Sequence, residues 1–115
     1  MGKLLDRLTG RDVAEYGKTL ARDLAKRYPP QLDNQPEKRV SANRITKVLE
    51  DAIGRAVDYS RTEKLGFIRK ARLSNAFRWE MKDLGYSEGF IETATEALVV
   101  YLSRRTQLDA PQPKT

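Results

Sequence analysis

Residues 41–61 read SANRITKVLEDAIGRAVDYSR, and this stretch decides the fold. Ile45, Val48, Leu49, Ala52, Ile53, Ala56 and then Tyr59 or Ser60 recur at three- and four-residue steps. That spacing lines one face of an α-helix with apolar groups. Lys47, Asp51, Gly54, Asp58 and Arg61 fall on the outer side, and Ser41 stands where an N-cap is wanted. The pattern predicts a helix over 42–61 that must bury its stripe against other elements.

The same period appears on both sides of this segment. Val13, Tyr16, Gly17, Leu20, Leu24 and Tyr28 predict a first helix over 12–28, with Glu15, Lys18, Arg22 and Lys26 facing away. Thr9 is the expected cap, with Asp12 three residues on in a capping-box pattern. Pro29 and Pro30 end that helix, because the residue before a proline is pushed out of the helical region. Residues 2–8 have room for a short extra N-terminal helix. A third helix is predicted over 64–84, closed by Gly85, and a fourth runs from a Ser87 cap to about residue 105. The stripe of the fourth is Phe90, Ile91, Ala94, Leu98, Tyr101 and Leu102. Its very short link to the third predicts a helical hairpin or tight corner. No segment alternates as a strand does. The expectation is an all-α fold, a compact bundle of four main helices. It forms one domain over 1–105, followed by a disordered tail over 106–115.

The connection over 29–40 carries Pro29, Pro30, Asp33, Asn34 and Pro36. It is long for a compact bundle, so it either crosses the bundle or is mobile and functional. Val57, Val99 and Val100 are left over from the minimal stripes. They are candidates for packing a neighbouring helix or for a dimer interface.

Composition narrows the chemistry. The 115 residues contain no cysteine and no histidine. This rules out disulfides, thiolate metal sites, a cysteine nucleophile and a histidine-based triad, and it removes the commonest general base and metal ligand. No glycine-rich phosphate loop or dinucleotide fingerprint is present. Asp33, Asn34 and Glu37 only faintly resemble a calcium loop, which Pro36 interrupts. Residues 1–8 lack the apolar core of a secretory signal, and no run approaches a membrane span. The expectation is a soluble cytoplasmic protein that is not an enzyme. No cofactor, no metal, no membrane and no small-molecule substrate are anticipated.

Net charge is +6 and is unevenly spread. Residues 1–28 hold seven basic and four acidic residues, and 64–85 hold six and two. The positive surplus therefore lies on the first and third helices. The fourth carries Glu88, Glu92 and Glu96 in a row. The third helix has a core stripe of Leu73, Phe77, Met81 and Leu84, and a second stripe of Ile68, Arg72, Asn75, Trp79 and Lys82, flanked by Lys64 and Arg78. Tryptophan and arginine dominate binding energies at protein interfaces, and a basic stripe with an aromatic also suits phosphates and bases. On the sequence, Trp79 fits the core or the contact surface equally.

Two functions follow as expectations. The first is a non-catalytic interaction or regulatory protein that contacts a protein partner, or a second copy of itself, through Ile68, Arg72, Asn75, Trp79 and Lys82. The alternative is nucleic-acid binding, with Lys18, Arg22, Lys26, Arg69, Lys70 and Arg78 on phosphates. No turn with the spacing of a DNA-binding helix-turn-helix accompanies these cations.

Overall fold

A computed structural model describes residues 9–35 and 41–109, with side chains to Arg104. Among these residues the chain is all α: α1 (Arg11–Arg27), the short α2 (Pro30–Asp33), α3 (Ala42–Thr62), α4 (Phe67–Leu84) and α5 (Glu88–Asp109). The four long helices close a ring. α1 packs most extensively on α4, α4 on α5, α5 on α3, and α3 back on α1. Pairs such as Arg27–Asp51 and Tyr16–Tyr59 place α3 antiparallel to α1, whereas Asp12–Arg69 and Arg22–Glu80 place α4 parallel to it.

The core follows the periodic stripes. Val13, Leu20, Ala21 and Leu24 of α1 meet Val48, Ala52, Ile53 and Ala56 of α3, Leu73, Phe77 and Met81 of α4, and Ile91, Ala94, Leu98 and Leu102 of α5. Gly17 earns its place in the first stripe by absence of a side chain. A Cβ there would lie 2.5 Å from the Leu73 carbonyl oxygen and 3.0 Å from Ala76 Cβ, so α1 and α4 touch backbone to backbone. Tyr101, expected in the α5 stripe, instead stands about half exposed. Core positions Leu98 and Leu102 point it to the flank.

The ends of the helices confirm some sequence signals and correct others. Ser41 Oγ accepts the Arg44 N–H at 3.2 Å, and Ser87 Oγ accepts that of Phe90 at 3.2 Å. Gly85 closes α4 in the left-handed region at φ 101°. Thr9, by contrast, does not cap α1. Gly10 holds the N-cap position at φ 77° without a side-chain cap, and Asp12 turns to Arg69 instead. α4 starts at Phe67 after a Gly66 N-cap, not at Lys64. Lys64 sits at φ 53°, and the Leu65 N–H bonds the Ser60 carbonyl at 2.9 Å. This left-handed closure of α3 drops Leu65 into the core. α5 continues to Asp109, so 106–109 are helical rather than tail. The expected helix over 2–8 and residues 110–115 lie outside the described residues.

The first half of the long connection is also ordered. Pro30 opens the turn of α2, as a proline at the first helical position does. Asp33 then ties the connection to the α4–α5 corner: its carboxylate accepts the Tyr28 hydroxyl at 3.1 Å and the Ser87 N–H at 2.7 Å. Asn34 Nδ2 donates to the Pro30 and Gly85 carbonyls, both at 2.9 Å. The Tyr86 hydroxyl donates to the Tyr28 carbonyl, and Phe90 packs on both rings. Asp33 and Asn34 therefore hold a corner together. Residues 36–40 lie outside the described residues.

Candidate functional site

The second stripe of α4 lies on its outer side. Leu73, Phe77 and Met81 fix the inner face, and at 100° per residue the positions of Ile68, Arg72, Asn75, Trp79 and Lys82 point the opposite way. All five are exposed, Ile68 by 71% and Trp79 by 54%. The two placements of Trp79 are thus resolved in favour of the surface. Phe67, 84% exposed, adds an apolar group at the start of the helix. No stripe flagged it, because it sits at a helix start, where periodicity has nothing preceding it to match.

Arg72 and Lys82 of this face both make contacts that orient them. Arg72 Nη1 donates to the Thr9 carbonyl at 2.9 Å, and its stem crosses Gly10 so closely that a Cβ there would meet Arg72 Cδ at 2.4 Å. The glycine at the start of α1 thus seats an arginine of α4. Lys82 Nζ lies 5.4 Å from the centre of the Trp79 ring and 3.9 Å from Glu88. A cation over an indole face is attracted by the ring quadrupole, which orients both groups.

The six cations considered for phosphate contact are distributed differently. Arg22 Nε reaches Glu80 at 2.8 Å, and that bond holds its guanidinium above its ordinary pKa. Arg69 reaches Asp12 at 2.5 Å, Lys18 reaches Glu15 at 3.9 Å, and Lys26 reaches Asp23 at 3.6 Å. Lys70 Nζ donates to the Leu102 carbonyl at 3.2 Å. Arg78 has no ion pair among the described residues and stands at the rim of a groove. The structure does not gather these six on one open face. Four face carboxylates: Arg22 and Arg69 are in pairs that join α1 to α4, whereas Lys18 and Lys26 are in exposed pairs within α1.

Two shallow grooves flank α5. The one against α4 has a volume of about 300 Å³ and is lined by Phe67, Ala71, Ser74, Arg78, Thr95 and Val99 among others. Thr95 Oγ1 is buried there without a hydrogen-bond partner among the described residues. The one against α3 measures about 640 Å³ and is lined by Ile53, Val57, Asp58, Tyr101 and Arg104 among others. Among the described residues, no three acidic side chains gather where they could hold a metal ion, and no helix is long and apolar enough to cross a membrane.

Fold and surface together define a helical bundle with an exposed basic and aromatic helix face. Comparison with known proteins finds no matching family model, no matching curated protein and no matching solved structure.

Proposed function

We propose that this chain is a non-catalytic, cytoplasmic interaction module that captures a protein partner on the outer face of α4. The partner segment is acidic and carries apolar anchors. The observation that carries this reading is the exposure of Trp79 and Ile68 on a helix whose core needs are met from its other side. Polar residues at both positions would satisfy the fold, so the apolar groups are free to serve a contact. Arg72, Lys82 and Arg78 surround them with positive charge, which complements carboxylates and repels basic competitors. Asn75 offers both a donor and an acceptor between the apolar anchors. Nucleic-acid binding draws less support, because Arg22 and Arg69 are engaged with Glu80 and Asp12 between α1 and α4.

Trp79 is the chain's one tryptophan, so its fluorescence reports directly on this face. Acidic amphipathic peptides bearing leucine and phenylalanine are expected to bind, blue-shift Trp79 emission as the ring leaves water, and lose anisotropy-detected binding in Trp79→Ala. Binding of mixed-sequence DNA or RNA instead, weakening steeply with salt as counterions are released, would overturn the reading in favour of phosphates. Trp79 emission unmoved by every acidic peptide would also count against it.

A further inference from the structure

A second surface points to a second copy of this chain. Leu98 and Leu102 of α5 enter the core, so Val100 projects directly away from it, with Val99 and Tyr101 to either side. These three consecutive residues are 44%, 42% and 48% exposed in chain order. Val99 lines the groove toward α4 and Tyr101 the groove toward α3, so an apolar band crosses the exposed side of α5 at Val100 between polar turns, and covering it removes apolar surface from water. The outer side of α3 has no such band and offers Lys47, Gly54 and Asp58.

The charges along α5 say what covers it. Glu92 and Glu96 lie before the valines and Arg104 lies after them, all exposed and without ion pairs among the described residues. The Arg104 guanidinium lies 5.5 Å from the centre of the Tyr101 ring, which holds it beside the apolar patch. The order acid, apolar, base is complementary to itself when one copy is turned end for end. Glu96 and Arg104 are each four residues from Val100, about 6 Å along the axis at 1.5 Å per residue. Antiparallel pairing about Val100 therefore sets Glu96 of each copy level with Arg104 of the other. Parallel pairing would set like on like. Residues 86–105 hold three acidic and two basic residues, so copies of a chain with a net charge of +6 meet away from the basic surplus of α1 and α4.

We propose that the outer face of α5 is a self-association surface, on which a second copy packs antiparallel with its two-fold axis at Val100. Such an interface is isologous, the commonest kind in soluble homo-oligomers.

Sedimentation velocity over a concentration series, at low and moderate salt, tests this. The expected result is a mass rising from 13.1 kDa to twice that value. Val100→Glu should weaken self-association more than about tenfold, since it juxtaposes two like charges at the axis, with the helical circular dichroism unchanged and the melting point unchanged at concentrations where the wild type is a single chain. Glu96→Arg and Arg104→Glu should each weaken it, and the two together should restore it. A wild-type mass that stays at one chain up to the highest soluble concentration would overturn the proposal. So would a dimer that survives Val100→Glu. A dimer lost in Trp79→Ala but kept in Val100→Glu would move the contact to α4 and overturn it as well.

Discussion

Replacing Gly17 and Gly54 by alanine, one at a time, should change stability in opposite directions. Both glycines lie inside long helices, where alanine is favoured over glycine by about 1 kcal/mol. At Gly54 a Cβ would meet nothing within 4 Å, so Gly54→Ala should gain up to about 1 kcal/mol. At Gly17 the new Cβ would lie 2.5 Å from the Leu73 carbonyl oxygen, 3.0 Å from Ala76 Cβ and 3.1 Å from the Phe77 nitrogen. The first approach falls about 0.9 Å short of the 3.4 Å at which ordinary contact begins. None of these atoms is the end of a flexible side chain, so α1 and α4 must separate along their most extensive contact. Overpacking of this kind costs about 1–3 kcal/mol. Against the helical gain, Gly17→Ala should lose up to about 2 kcal/mol, and the two variants should differ by about 1–3 kcal/mol. For a chain this size that is a separation of roughly 10 °C in melting temperature, readable by thermal or urea denaturation followed by circular dichroism. If Gly17→Ala proved as stable as Gly54→Ala, the backbone-to-backbone seating of α1 on α4 would be wrong. The placement of the outer face of α4 that depends on it would then fall too.

Other perturbations probe the remaining parts of the argument. Trp79→Ala should change unfolding free energy by no more than about 0.5 kcal/mol, as surface substitutions do, while abolishing peptide capture; a core-sized loss would contradict its exposure. Asp33→Ala strips the acceptor from the Ser87 N–H and the Tyr28 hydroxyl and should cost about 1–3 kcal/mol. Asp33→Asn, which keeps one acceptor oxygen, should cost less in the same denaturation assay. Alkali should unfold the protein: burial, then the nearby Asp33 carboxylate, raises the Tyr86 hydroxyl above its ordinary value of 10.0, and burial also raises Tyr16 and Tyr59. The folded state holds these protons more tightly than the unfolded chain. Their stabilisation is therefore complete below pH 10.0 and is lost as pH rises above it. Denaturation midpoints measured across that range should fall, and fall less steeply in Tyr86→Phe.

Much of the fold is legible in the sequence because its signals are local. The stripes of α1 and α3 need only a helical period to be seen, and Ser41, Gly85 and Ser87 announce caps through chemistry confined to three or four residues. Failures occur where the deciding partner is distant in the chain. Arg69 looked like a phosphate ligand until Asp12, 57 positions away, came to lie against it. Arg22 and Glu80, 58 positions apart, are the same case. Thr9 does not cap because α1 begins at Arg11, which puts Gly10, in a left-handed turn beneath the distant Arg72 stem, at the cap position. The start of α4 was misplaced because Lys64 adopts a left-handed conformation that lysine seldom takes, which no propensity suggests. Trp79 could not be assigned at all. α4 carries apolar groups on two sides, and only the position of α1, set by Gly17, shows which side is inside.

Charge pairing within the bundle also shapes what its surface can do. Were every cation of α1 and α4 open to solvent, the positive field would spread over half the molecule and favour any polyanion alike. Instead Asp12, Glu15, Asp23 and Glu80 each answer a cation of α1 or α4. On the outer side of α4 beside Trp79, Arg72 and Arg78 face no carboxylate among the described residues, and Lys82 faces only Glu88. Lys82 itself is divided between the indole ring and Glu88 at its far side, where a 3.9 Å approach between exposed groups is weak. A partner carboxylate can therefore displace Glu88 at small cost while the lysine keeps its place over the ring. In the proposed complex, attraction and grip would reside in adjacent groups: the cations would draw an acidic segment toward the helix, and Trp79 with Ile68 would retain it once water is expelled.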